Sequence, residues 1–152
     1  MSSVISAGDA APKVHLETTG GKVSIPSDSG RGLILFFYPK DNTPGCTNEA
    51  KDFTALKDEF DKKGFDIIGI SRDSLASHEK FIAKQEIGFP LATDEDGSAC
   101  EAFGVWKEKN MYGRKFMGIE RSTFAIGADG MIIESWRKVR VKGHAEQVLS
   151  VL

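Results

Sequence analysis

Cysteine is scarce in this chain: two residues of 152, Cys46 and Cys100. Two thiols cannot build a disulfide framework, so the fold must rest on a hydrophobic core. The three histidines, His15, His78 and His144, lie far apart with no metal-ligand spacing, which predicts no zinc site and places His78 and His144 on the surface. The 16 glycines are spread through turns, and none forms a phosphate-binding loop. No apolar run approaches membrane-spanning length. The start, Met1 to Pro12, lacks the basic and apolar segments of a signal peptide. Neither sign of charge dominates: 20 Lys and Arg against 22 Asp and Glu give a formal net charge of −2. That balance gives no reason to expect nucleic acid or an anionic membrane as the main partner. There is no internal repeat and no low-complexity segment. The expectation is one cytoplasmic domain, 1–152, in which both thiols are free, catalytic or redox-sensing.

The residues that are present alternate between two periods. Lys13 to Leu16 and Lys22 to Ile25 flank Gly20-Gly21 and read as an N-terminal hairpin. Pro26 to Gly32 reads as a loop. Leu33 to Tyr38 is short and wholly apolar, as a strand buried on both faces would be. Cys46 to Lys63 reads as a helix, with Phe53, Leu56 and Phe60 at helical spacing and Gly64 as its stop. Phe65 to Ser71 is a second buried strand. Ser74 caps a helix running to Gln85. Leu91 to Thr93 is a short strand, and Ser98 to Phe103 a short helix. Trp106 to Gly118 reads as an aromatic and basic loop. Thr123 to Ile126 and Met131 to Trp136 flank Gly127-Ala128-Asp129-Gly130 as a hairpin. Lys142 to Leu152 closes the chain as a helix. Alternating strands and helices followed by a hairpin predict an α/β sandwich: a mixed sheet with helices over both faces.

The most informative stretch joins the first buried strand to its helix: Phe37-Tyr38-Pro39-Lys40-Asp41-Asn42-Thr43-Pro44-Gly45-Cys46. A thiol at a helix start lies among unpaired N–H groups and the positive end of the helix dipole. Both favour thiolate over thiol and make the sulfur reactive. Pro39, Thr43 and Cys46 stand at the P-x-x-x-T-x-x-C spacing of peroxiredoxins. The longer string through Thr47 and Glu49-Ala50 resembles the bacterioferritin comigratory protein, or peroxiredoxin Q, subfamily. So do Phe103-Gly104-Val105-Trp106 and Met117-Gly118-Ile119-Glu120-Arg121-Ser122-Thr123-Phe124. The resemblance runs from Ala7 over almost the whole chain. It implies a thioredoxin-like fold and a monomeric peroxidase that reduces hydrogen peroxide and organic hydroperoxides without metal, haem or flavin.

That reaction is attack of thiolate on the terminal peroxide oxygen, giving a sulfenic acid and an alcohol or water. The site must bind two adjacent oxygens and stabilise a leaving oxyanion. Cys46 would supply the nucleophile. Thr43 would place its hydroxyl near sulfur and peroxide, and Pro39 would wall the pocket against water. Arg121 would add a permanent positive charge. The N–H groups of Gly45 and Cys46 would complete the oxyanion site. Glu49, one helical turn on, could hold Arg121 through a bidentate pair. The resemblance assigns the same roles to Pro39, Thr43, Cys46 and Arg121, and a supporting one to Glu49.

The chain departs from the subfamily in one respect. Many members carry a resolving cysteine five residues after the first, where this chain has Lys51; others carry it in the next helix, which here has none. Two readings follow. Cys46 works alone and an external thiol, from a thioredoxin, glutaredoxin or glutathione system, resolves the sulfenic acid. Alternatively Cys100 resolves it, although its helical spacing with Phe103 points to the core. A thiol–disulfide oxidoreductase would want a second cysteine in C-x-x-C, and a cysteine hydrolase a general-base histidine; no motif supports either. A redox sensor with the same thiol is the rival from outside catalysis.

Overall fold

The computed structural model describes residues 5–26 and 29–152. Residues 1–4, part of the start read above as leaderless, and residues 27–28, within the Pro26–Gly32 loop, lie outside the described residues. Seven strands form one mixed sheet: β1 (Val14–Thr18), β2 (Gly21–Ile25), β3 (Gly32–Phe37), β4 (Phe65–Ser71), β5 (Leu91–Thr93), β8 (Ser122–Ile126) and β9 (Ile132–Trp136). Their order across the sheet is β2-β1-β5-β4-β3-β8-β9. The two strands read as buried, β3 and β4, pair in parallel at the centre, and β5 continues the parallel run. Both expected hairpins form: β1 with β2 at one edge, and β8 with β9 at the other.

Strand β3 explains the layering. Its side chains point alternately to the two faces. Ile34, Phe36 and Tyr38 enter one core together with Cys46, Ala50 and Phe53 of α1 (Pro44–Ala55), Phe60 of α2 (Lys57–Lys62), Phe81 of α3 (Leu75–Gln85) and Val148 of α5 (His144–Ser150). Leu33, Leu35 and Phe37 enter a second core with Cys100 of α4 (Ser98–Ala102), Phe103 and Phe124. Helices therefore cover both faces, as the alternation predicted.

Two readings need correction. The helix expected from Cys46 to Lys63 begins two residues earlier, at Pro44, because proline at the first helical position lacks only an N–H that would be unpaired anyway. It also breaks at Leu56 into α1 and α2. Just before the break, the Thr54 hydroxyl donates to the Ala50 carbonyl at 2.8 Å, a side-chain bond of the kind that bends helices. The stretch expected as a loop from Trp106 is instead a hairpin, β6 (Trp106–Met111) with β7 (Arg114–Ile119). Tyr112 and Gly113 turn it with φ of 53° and 77°, the left-handed pair that suits a two-residue hairpin turn. No helix among the described residues is long and apolar enough to cross a membrane.

Candidate active site

The topology brings distant residues to one end of β3. Strand β8 runs antiparallel to β3, with Ser122 opposite Phe37. Arg121, which leads into β8, is thereby delivered to the point where the chain leaves β3 and turns into α1. The turn carries Pro39, Lys40 and Asp41, and the helix then presents Cys46 at its third position. The first intrahelical bond runs from the Thr47 N–H to the Thr43 carbonyl, 2.8 Å. The N–H groups of Gly45 and Cys46 therefore have no acceptor within the helix.

At this junction Arg121 bridges two groups. Its Nη2 lies 3.3 Å from Cys46 Sγ, and its Nη1 donates to Glu49 Oε1 at 2.7 Å. Cys46 and Glu49 are each only 1% exposed. Burial pushes the Glu49 carboxyl up to about 7 against the opposing pull of Arg121, and its Oε2 has no partner among the described residues. The bond to Glu49 is through one oxygen rather than the bidentate pair expected. Gly45 supplies room: a Cβ there would stand 3.2 Å from Arg121 Nη2. Sequence spacing places Glu49 one turn after Cys46; Arg121, 75 residues away and expected only from the resemblance, is brought to the sulfur by the fold.

Thr43 is the N-cap of α1, but its hydroxyl donates to the Lys40 carbonyl at 2.9 Å and so ties the turn together. Pro39 is exposed and lines a groove with Trp106, Lys109 and Phe116. Lys51, at the position of the missing resolving cysteine, is exposed.

Beneath the turn lies a buried polar cluster that the sequence reading missed. His78, expected at the surface, is fully buried. Its Nδ1 lies 2.8 Å from Asp41 Oδ2, and its Nε2 donates to the Ala92 carbonyl at 2.9 Å. Tyr38 and Ser77 also donate to the Asp41 carboxylate, at 2.6 and 2.7 Å. Burial raises the Asp41 carboxyl, but the bonds from His78, Tyr38 and Ser77 outweigh it and hold it below its ordinary value. The Asp41 N–H in turn donates to Asp73 Oδ2 at 2.8 Å. The cluster fastens α3 and the end of β4 to the turn that carries the site. No local pattern signals it, since Asp41 and His78 are 37 positions apart. His144, also expected at the surface, is buried, with Nε2 2.8 Å from Thr123 Oγ1.

Cys100 is not part of this constellation. It is fully buried in the core on the other face of the sheet from Cys46. The Asp94 carboxylate accepts the N–H groups of Ala99 and Cys100 at 3.0 and 2.8 Å. Burial, then Asp94, push the Cys100 thiol far above its ordinary range.

The profile of the AhpC/TSA family matches residues 7–135. This chain belongs to that family. Peroxiredoxin Bcp of Xanthomonas campestris is 52% identical over 138 residues, spanning 90% of this chain and 86% of its own. The solved structure of the bacterioferritin comigratory protein from the same organism, described for its alkyl peroxide reduction activity, superposes with a TM-score of 0.85. It is 51% identical and covers 90% of this chain and 88% of its own. A mutant of peroxiredoxin Q from Xylella fastidiosa superposes with a TM-score of 0.90 at 43% identity, covering 98% of this chain and 96% of its own. The fold is thus the thioredoxin-like fold of the peroxiredoxins. As a peroxiredoxin, the protein is a thiol-dependent peroxidase, an oxidoreductase acting on a peroxide and a thiol reductant.

Proposed function

We propose that this peroxiredoxin is a one-cysteine, monomeric, cytoplasmic enzyme of a single domain, in which Cys46 attacks hydrogen peroxide and organic hydroperoxides. The observation that carries the reading is Arg121 held between Cys46 Sγ and Glu49. Its guanidinium compensates negative charge on the sulfur before attack and on the departing oxygen during it. Glu49, itself buried, fixes the direction of that charge. The N–H groups of Gly45 and Cys46, without acceptors in the helix, would receive the peroxide oxygens. Thr43 and Pro39 shape the turn that delivers them.

In the first step the sulfur forms a bond to the terminal oxygen and the O–O bond breaks. The leaving oxygen takes a proton and departs as alcohol or water, and Cys46 becomes a sulfenic acid. An external thiol then forms a mixed disulfide with Cys46 and releases water. A second thiol attacks that disulfide, restoring Cys46 and leaving an oxidised dithiol product. Cys100 is a poor resolving thiol: the sheet separates it from Cys46, and it lies buried and tied near Asp94.

Steady-state peroxide consumption with a small external dithiol tests the reading. Cys46→Ser should abolish turnover. Cys100→Ser should retain it within about twofold, since Cys100 lies in the other core, away from Cys46, and the buried hydroxyl bears on stability rather than on the site. Loss of the first oxidation step in Cys100→Ser would overturn the assignment.

A further inference from the structure

Beside the site, residues of the β6–β7 hairpin and Pro39 line a groove of about 480 Å³. Trp106, Phe116 and Met117 give it an apolar lining, and Phe116 and Met117 are substantially exposed there. An apolar groove would suit the carbon body of an organic hydroperoxide. The cations along it are less expected. Arg72 is already committed: its guanidinium stacks over the Trp106 ring at 4.7 Å and donates to the Glu95 carbonyl at 2.7 Å.

Lys109 is different. It is half-buried, and among the described residues it forms no ion pair. Its stem lies over Gly118, where an added Cβ would come within 3.3 Å of Lys109 Cδ. Gly118 thus gives the lysine room to lie down along the hairpin rather than extend into water. Lys109 feels the charges of Arg121, Cys46 and Glu120, which places its ammonium in the electrostatic field of the active site. Burial and Arg121 pull its ordinary value down, while Cys46 and Glu120 act in the opposite direction. A partly desolvated cation held in no ion pair, beside an apolar groove, is a receptor for an anion on an apolar body.

Resting on the reading of Cys46 above, we infer that Lys109 is a specificity-determining residue that selects organic hydroperoxides bearing a carboxylate over neutral ones of the same shape. The carbon body would lie along Trp106, Phe116 and Met117, the carboxylate would meet Lys109, and the peroxide would reach Cys46.

A matched pair of probes tests this: cumene hydroperoxide, and the same molecule carrying a para-carboxylate. Second-order rate constants for oxidation of reduced wild-type protein are measured by stopped flow with each probe, at low and high salt. Wild type should prefer the carboxylate by about tenfold at low salt, the scale of one charge-assisted hydrogen bond, and less at high salt. Lys109→Met should bring the ratio to about one, Lys109→Glu should invert it, and Lys109→Arg should keep it. Equal rate constants for the two probes in wild type, or a preference that survives Lys109→Met, would overturn the inference while leaving Cys46 as nucleophile. Failure of wild type to react with either probe while hydrogen peroxide still oxidises Cys46 would overturn the inference alone; failure with hydrogen peroxide as well would overturn the reading of Cys46, and the inference with it. The salt arm shows whether the preference is electrostatic, and the charge-keeping Lys109→Arg beside Lys109→Met assigns it to Lys109.

Discussion

At the scale of single residues, the proposed site turns on one guanidinium that contacts two buried partners. Arg121 touches the Cys46 sulfur with one nitrogen and Glu49 with the other. A lysine keeps the charge but cannot make both contacts from a planar fork. Arg121→Lys should therefore slow oxidation of Cys46 by about a hundredfold, and Arg121→Met by somewhat more, read from the second-order rate constant with hydrogen peroxide. Gly45→Ala is a subtler change. Its methyl would press on Nη2 from 3.2 Å without straining the helix, so the rate should fall about tenfold while thermal stability barely moves. His144 makes a separate prediction about pH. Burial lowers its imidazole to about 4, against an ordinary value of 6.5. Between those values the unfolded chain binds a proton that the folded chain does not. The fold is therefore progressively disfavoured as pH falls from about 6.5 towards 4. Urea unfolding of wild type and His144→Gln at pH 7 and pH 5 checks the sign: any advantage of wild type should shrink at pH 5.

At the scale of elements, the turn after β3 is held from below by α3. The Asp41–His78 pair is buried on both sides, and His78 spends its second nitrogen on the Ala92 carbonyl. Removing one partner strands the other in a dry interior, so His78→Leu or Asp41→Leu should each cost about 3 kcal/mol in urea unfolding. A double variant replacing both with apolar residues should recover part of that loss. This clamp also marks the limit of what sequence reading reaches. The Ser74 cap, the buried centre strands and both sheet-edge hairpins follow from local periodicity and turn residues, and they are present. The clamp does not follow, because neither Asp41 nor His78 carries a local sign that a residue 37 positions away will meet it. The β6–β7 hairpin was illegible for a different reason. Its strands carry Lys107, Glu108, Lys109, Arg114 and Lys115, so no apolar alternation marks them, and backbone pairing around the Tyr112-Gly113 turn sets them instead. The site divides the same way. Pro39, Thr43, Cys46 and Glu49 are near one another in sequence, whereas Arg121 came from a resemblance and Lys109 only from the fold.

At the scale of the whole molecule, the sheet keeps the two thiols apart. Alternation along β3 sends Phe36 and Tyr38 towards Cys46 and Leu35 and Phe37 towards Cys100. A bond between the sulfurs would require one of them to cross a seven-stranded sheet. Cysteine pairing needs Cα atoms within about 7 Å, so under the one-cysteine reading proposed above this arrangement disfavours a disulfide in the folded state. With Lys51 where a resolving thiol could stand, the proposed one-cysteine cycle leaves the oxidised sulfur to a thiol from outside, and excess peroxide should then carry it on to sulfinic acid. The most direct test is intact mass after one equivalent of hydrogen peroxide with a sulfenic acid trap, on wild type and Cys100→Ser. The account predicts one trapped adduct at Cys46 in both proteins. A Cys46–Cys100 disulfide in wild type, with trapping confined to Cys100→Ser, would contradict it.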